Sequence, residues 1–462
     1  MADLCDMNAT DLLAGYRRKA FSPGEAMASV LGRVESWEPR LKALYALDRD
    51  GATAEAAKST ARWAKGQPIG ALDGVPITIK ENIATKGTPV PLGTAATILS
   101  PATDDAPPSA RVREAGAIIF AKTTMPDYGM LSSGLSSFHP LTRNPWNLAM
   151  NPGGSSAGAG AAAAAGYGPL HIGTDIGGSV RLPAGWCGIY TLKPSAGRVP
   201  IDPPYVGRVA GPMTRTVGDT ALLMSILSKP DWRDPMSLPP ADIPWTDLDG
   251  LSLKGLRIGL MSEAGAGLDV LPEVRHAVQA AARAFEGAGA IVEPARPVLT
   301  REMLDGLDNF WRARAWDDMV KLTPETRAKV LPYIVEWAHR AVALSGLDVM
   351  RGFNRIIEMK KAAAAAFRPF DFVISPTCPV PTYPAELASP VDDPARPFVH
   401  IGFTVVWNMT DHPAASINCG FTSTGLPIGL QIVGRRFDDL GVLRLSAAYE
   451  RLRGNQRPWP RP

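Results

Sequence analysis

Long apolar runs, paired metal ligands and an excess of charge of either sign are all missing from this sequence. No stretch of about 18 consecutive apolar residues occurs, which excludes a membrane-spanning helix. The run Ala157–Ala165 is too short and too weakly apolar for that role. The four cysteines (Cys5, Cys187, Cys378 and Cys419) are far apart and form no C-x-x-C pair. That spacing argues against a disulfide framework or a zinc site and for reduced, buried thiols. Six histidines are scattered without an H-x-x-x-H pair, so no catalytic metal is expected. Lys and Arg number 48 against 45 Asp and Glu. The net charge of +3 makes no case for nucleic acid or an anionic membrane as a partner. The N-terminus carries Asp3, Asp6 and Asp11 in place of a basic start and an apolar core, so a cytoplasmic location is expected. No Gly-Lys-Ser/Thr follows a glycine-rich turn, which removes a Walker-type phosphate loop. No cofactor is expected.

What is present is ordinary in bulk. Hydrophobic residues make up 45% and charged residues 20%, as in a typical globular protein. A chain of 462 residues has room for one large core or roughly two to three domains. Residues 1–65 read as helices. Within them Ser22-Pro23-Gly24-Glu25 supplies an N-cap serine, a proline at the first position and a glutamate three residues on. Residues 70–230 alternate short apolar runs, such as Val75–Ile79 and Ala117–Phe120, with helices and glycine turns, the pattern of an α/β core. The stretch 229–244 is rich in proline and polar residues and reads as a surface linker. Further strands are expected at Lys254–Leu260, Ile291–Glu293, Phe372–Ser375, Ala414–Asn418 and Gly429–Val433. An amphipathic helix is expected over Pro272–Ala288, and more helix over 301–366.

The chemistry lies in two serine-glycine segments and one lysine. The segments are Asn151-Pro152-Gly153-Gly154-Ser155-Ser156-Ala157-Gly158 and Gly173-Thr174-Asp175-Ile176-Gly177-Gly178-Ser179-Val180-Arg181. Lys80 ends the apolar run that starts at Val75. A serine hydroxyl is a poor nucleophile at neutral pH and needs a base beside it. Lysine can be that base only when neutral, so its pKa of about 10.4 must fall by roughly 2 to 3 units, as burial can achieve. The plainer alternative is that Lys80 ends a strand at the surface. Gly177 and Gly178 let successive N–H groups converge into an anion nest with Ser179 at its end. The plainer alternative there is a glycine turn with an incidental serine. Together, one lysine and two serines in glycine-rich turns point to an amide-bond hydrolase that uses no histidine. Asp175 and Arg181 flank Ser179, and a guanidinium there either grips a substrate carboxylate or forms an internal ion pair.

These segments resemble the signature of the amidase signature family. Pro152–Gly158 and Gly173–Ala184 are similar to its core, and Cys187–Pro194 and Gly197–Val199 continue it. Leu72–Asn82 resembles the family's lysine motif, and Phe370–Thr377 and Gly425–Gly434 resemble its closing strands. The likeness runs from about residue 10 to about residue 450. It implies one α/β domain over 1–462, with a central mixed β-sheet of many strands covered by helices on both faces. Inside it lie the helices of 1–65, the catalytic core of 70–230 and a substrate-covering helical region over 301–366. The resemblance further implies roles: Ser179 as nucleophile and acyl carrier, Ser155 as bridging serine after a cis peptide bond, and Lys80 as base. The N–H groups of Ile176, Gly177 and Gly178 are implied as the oxyanion hole, and Asp175 with Arg181 as the internal ion pair. Three departures bear on substrate class, one of them in Asn408–Pro413 near the C-terminus, where the usual Gly is replaced. Glu81 stands where Asp is usual, and Ala157-Gly158 where Gly-Gly is usual.

Other readings compete with this one. Gly154–Gly158 also fits Gly-x-Ser-x-Gly, the nucleophile elbow of α/β-hydrolases, with Ser156 attacking and His339 or His412 completing a triad. Against it, Asn151-Pro152 stands where a strand should enter, and Lys80 and the Gly177–Ser179 turn go unexplained. Glutamine-dependent tRNA transamidase subunits share the family pattern but carry Asp-x-x-Thr-x-x-x-Asn where this chain has Ile401, Thr404 and Asn408. The expected substrate is a small apolar or aryl carboxylic amide, with carbamates, ureas and esters as alternatives. Phe310, Trp311, Trp316, Tyr333, Trp337 and Phe353 either pack helices onto the core or form an apolar lid. Met125, Tyr128, Met130 and Leu131 are candidate pocket residues. The substrate is the one partner expected; a homodimer is left open, dimers being the commonest oligomers.

Overall fold

A computed structural model describes residues 3–454 and 456–462. Among them eleven strands form one mixed sheet. They are β1 (Leu44–Tyr45), β2 (Pro76–Lys80), β3 (Ile118–Thr123), β4 (Leu170–Asp175), β5 (Tyr190–Lys193), β6 (Val209–Thr214), β7 (Arg257–Leu260), β8 (Ile291–Pro294), β9 (Phe372–Pro376), β10 (Ala414–Phe421) and β11 (Pro427–Gly434). Their spatial order is β1-β3-β2-β4-β6-β5-β10-β11-β9-β7-β8. β2 runs parallel to both β3 and β4, and β7 parallel to both β8 and β9. The remaining pairs are antiparallel.

Successive strand residues point to opposite faces of a sheet. In β9, Phe372 and Ile374 enter one apolar cluster and Val373 enters another. The helices Val217–Leu227, Pro272–Gly287 and Asp439–Leu452 close the first cluster. Arg301–Val320, Pro332–His339, Gly346–Phe367 and Gly402–Met409 close the second. Helices therefore cover both faces of one mixed sheet, as the resemblance implied.

Local chemistry explains most element boundaries. The N-terminal helices span Ala9–Arg17, Pro23–Leu41 and Arg49–Ala64. The second opens in a capping box: Glu25 N donates to Ser22 Oγ at 3.2 Å, and Ser22 N to Glu25 Oε2 at 2.8 Å. The strand expected from Lys254 starts only at Arg257, because Gly255 takes a positive φ of 79° and turns the chain first. The stretch 229–244 has no helix or strand, yet it is not a free linker. Asp231 is buried against Arg233 and Arg111, and buried Asp234 accepts from Ile201 N at 3.0 Å. The helical region 301–366 is broken into Arg301–Val320, Pro324–Arg327, Pro332–His339 and Gly346–Phe367. Proline starts two of these helices, and Ser345 with Asp348 forms a capping box on the last. Every residue of the helix Ala157–Ala165 is buried. A Cβ on Gly158 would lie 2.2 Å from Ala43 O, so glycine is what lets this helix approach its neighbours.

Three buried lysines set an expectation for stability. Burial lowers Lys80, Lys122 and Lys193 from 10.5 to about 7. The unfolded chain keeps these protons to about pH 10, whereas the folded chain releases them near 7. The unfolded state therefore binds more protons in that window, and stability rises with pH by up to about 1.4 kcal/mol per unit per lysine. Burial also pushes the Cys378 and Cys419 thiols up to about 12, which reverses the trend once unfolded thiols ionise near their ordinary 9.0. The thermal midpoint should rise between about pH 7 and pH 8.5. A flat or falling midpoint would show that these lysines keep their charge in the fold.

Candidate active site

β2 and β4 are parallel neighbours, so their C-terminal ends open on one edge of the sheet, where α/β folds place their ligands. Lys80 closes β2 and Asp175 closes β4, with the Ile176–Ser179 turn directly after. Ser155 and Ser156 lie just before the helix Ala157–Ala165 and follow a cis Gly154–Ser155 bond. Lys80 Nζ is 2.8 Å from Ser155 Oγ, 3.1 Å from Ser156 Oγ and 3.0 Å from Thr174 Oγ1. The side chain is wholly buried. Burial first, and the charge of Arg208 second, bring its pKa down to about 7 against the pull of Asp175 and Glu81.

A neutral amine has two N–H bonds and one lone pair. Ser156 Oγ donates to Thr174 O at 3.1 Å and accepts from Thr174 N at 3.2 Å, so its own proton is committed. Thr174 Oγ1 also accepts from Asn82 Nδ2 at 3.2 Å. These two oxygens take the amine's N–H bonds, which leaves the lone pair for the Ser155 hydroxyl. The elbow reading finds no support in this web. His339 is exposed, edge-on to Trp316, and His412 packs on Phe367 and Trp407 while its Nδ1 bonds Thr410.

Ser179 is half-buried, and its carbonyl accepts from Ser156 N at 3.1 Å. Among the described residues its Oγ has no hydrogen-bond partner, and the Ser155–Ser179 hydroxyl contact is not made. Such contacts commonly tighten only when substrate is bound. Gly178 has a φ of 131°, and a Cβ there would lie 2.5 Å from Thr404 Oγ1. Thr404 Oγ1 in turn donates to Gly177 O at 2.6 Å. Asp175 accepts from Gly178 N at 2.7 Å and from Val180 N at 3.1 Å. The Gly178 N–H thus faces Asp175, while those of Ile176, Gly177 and Ser179 have no acceptor among the described residues.

Comparison with known proteins gives the family. The chain matches the Amidase family model over residues 25–443. It belongs to the amidase family. It is 34% identical to an acylamidase from Rhodococcus erythropolis over 98% of this chain and 96% of that one. It is 32% identical to the A subunit of a glutamyl-tRNA(Gln) amidotransferase from Heliobacterium modesticaldum over 96% of each. The crystal structure of a bacterial aryl acylamidase of the amidase signature family superposes with a TM-score of 0.88 at 30% identity, over 96% of both chains.

In this amidase-family chain Arg181 is wholly buried and does not reach for substrate. It donates to Asp175 Oδ2 and Oδ1 at 3.1 and 3.0 Å, Asn408 Oδ1 at 2.5 Å, Gln431 Oε1 at 2.8 Å and Thr404 O at 2.9 Å. Burial alone would raise Asp175, but the charge and hydrogen bonds of Arg181 outweigh it and hold the carboxyl well below the usual range. Glu81 is also wholly buried, with Oε1 3.5 Å from His139 Nε2.

The packing around the site follows from what added methyl groups would strike. A Cβ on Gly177 would meet Ile401 Cδ1 at 3.2 Å and the Trp311 ring at 3.4 Å. The Cβ position of Gly129 is 3.3 Å from both Met125 Cε and Ser155 Oγ, and that of Gly154 is 2.8 Å from Leu131 O. Met130 and Tyr128 are half-buried in the same turn. Of the candidate lid aromatics, Trp311 and Trp337 both pack edge-on against Phe398, and Phe310 packs on Phe353. Sequence reasoning missed Thr174 as a lysine holder, although it stands inside the second serine-glycine segment. It also missed Thr404, Asn408 and Gln431 as supports of the nest and Ile401 as its cover, whereas Trp311 is among the candidate lid aromatics. Nothing local signals those contacts, because they join segments far apart in the chain.

Proposed function

We propose that this chain hydrolyses the C–N bond of a small apolar or aryl carboxylic amide through an acyl-enzyme on Ser179. The observation that carries this reading is the wholly buried Lys80 amine, brought down to about 7, with Nζ 2.8 Å from Ser155 Oγ. Lys80 takes the Ser155 proton, Ser155 takes the Ser179 proton, and Ser179 Oγ attacks the carbonyl carbon. Charge then grows on the carbonyl oxygen. The free N–H groups of Ile176 and Gly177, joined by that of Ser179, stabilise it; one such donor typically contributes about 10²–10³ in rate. Gly178 shapes this oxyanion hole through its bond to Asp175 without donating to it. The relay then returns the proton to the leaving nitrogen, since an amine leaves far more readily than an amide anion. Water deprotonated by the same relay releases the acid.

The relatives named acylamidase and aryl acylamidase support this choice, and Trp311 beside Gly177 offers an apolar wall for an aryl group. The transamidase alternative rests on the second relative. Ile401 speaks against it, because a buried hydrocarbon beside Gly177 cannot hold a glutamine amino group. A cytoplasmic location fits the four unpaired cysteines. No helix among the described residues is long and apolar enough to cross a membrane.

The test works before any substrate has been found. A fluorophosphonate should label Ser179, located by peptide mass spectrometry, and labelling should be lost in Lys80→Ala. An adduct on Ser156 would overturn the relay, as would the absence of any adduct together with an inert panel of amides.

A further inference from the structure

Arg208 stands beside the nest and Arg314 lies near it, neither with a carboxylate partner among the described residues. Val209, the first residue of β6, pairs with Asp175, the last of β4. One step further along this antiparallel ladder sets Arg208 opposite Ile176. Strand alternation puts Arg208 on the face of Thr174, whose hydroxyl holds Lys80. Arg208 Nη1 donates to Pro203 O at 2.7 Å, and its remaining guanidinium N–H groups have no acceptor among the described residues. Arg314 comes from the helix Arg301–Val320, one turn after Trp311, which covers Gly177. Its Cζ lies 3.7 Å from the ring centroid of Tyr205. Arg208 N donates to Tyr205 O at 3.0 Å. Tyr205 thus fixes both arginines, one through its ring and the other through its carbonyl.

The electrostatics are unusual for this chain. Buried Arg181 and Arg33 each have carboxylate partners. Arg208 and Arg314 have none among the described residues, although each is half-buried. Burial and then the charge of Arg314 bring Arg208 down to about 10, with only Asp202 pulling the other way. Partly desolvated like charges without a counter-ion are costly, and an arriving anion relieves that cost.

We propose that Arg208 and Arg314 bind a carboxylate carried by the amide substrate, a few bonds from the carbonyl held at the nest. This inference rests on the hydrolase reading above and narrows its substrate. A planar guanidinium matches a carboxylate in a two-pronged, charge-assisted geometry. Tyr205 and Trp311 supply the apolar walls between the two ends. The favoured substrate is therefore an acyl or aryl amide that ends in a free acid.

Two substrate pairs test this on the full chain. One is an N-acyl aminobenzoate and its methyl ester, with the acid on the amine side. The other is a dicarboxylic acid monoanilide and its methyl ester, with the acid on the acyl side. In at least one pair, KM for the free acid should be about tenfold or more below that of the ester, and added salt should shrink this ratio. In Arg208→Gln and in Arg314→Gln the ratio should collapse toward one, and Arg208→Lys should keep part of it. Equal KM values in both pairs, or a preference for the esters, would overturn the subsite. If neither pair is cut while Ser179 still takes fluorophosphonate, a free acid should slow that labelling in the wild type and not in the glutamine variants. Absence of such protection also overturns it. If Ser179 takes no label and no amide is cut, the hydrolase reading fails and the subsite falls with it.

Discussion

Ser179→Ala and Lys80→Ala are each expected to lower kcat/KM by roughly 10⁴- to 10⁶-fold, and the double variant should be no worse than the weaker single one. Groups that act as one unit fail together. In the proposed mechanism the loss of Ser179 removes the acyl carrier, and the loss of Lys80 removes the base beside the Ser155 hydroxyl. The pH profile provides an independent check. In the proposed relay Lys80 works only when neutral, and burial brings its pKa down to about 7. Activity should fall about tenfold per pH unit below that value and level off above it. The acid limb should shift upward if the positive charge of Arg208 is removed, since that charge opposes the protonation of Lys80. Steady-state kinetics on any cleaved amide measures all of this. A Ser179→Ala enzyme that keeps more than about one per cent of activity would rule out Ser179 as nucleophile.

Arg181→Met should cost about 3–5 kcal/mol of stability, because it leaves the Asp175 charge buried without its partner. Asn408 Oδ1 and Gln431 Oε1 would also lose their donor. The same change should cost activity, since Asp175 orients Gly178 and Val180 through their N–H groups. Adding Asp175→Asn to Arg181→Met should recover part of the stability, a coupling expected of two groups in direct contact. Urea denaturation of the three variants gives the numbers. A loss under about 1 kcal/mol for Arg181→Met would show that the ion pair is not what holds the nest.

Much of the candidate site is legible along the chain, because its backbone devices are local. A glycine at φ of 131° in Gly177-Gly178-Ser179, the capping box at Ser22–Glu25 and the buried run into Lys80 each depend on residues a few positions apart. The order and spacing of the motifs likewise carried the family and, through it, the mixed sheet with helices on both faces. Residue order alone could not show where the N–H groups of the nest point. Gly178 N turns to Asp175 because Arg181 and Asn408 hold that carboxylate in place, and Gln431, from a third segment, holds Arg181. Nor could it show that Trp311 and Ile401 cover Gly177, or that Arg208 and Arg314 meet at Tyr205 without a counter-ion among the described residues. The same holds for the proton affinity of Lys80. Its side chain is written at one position, but its desolvation comes from the helices and strands packed around it. Backbone conformation is set by neighbours in sequence, whereas pKa values, pocket walls and unpaired charges are set by neighbours in space, and only folding brings those together.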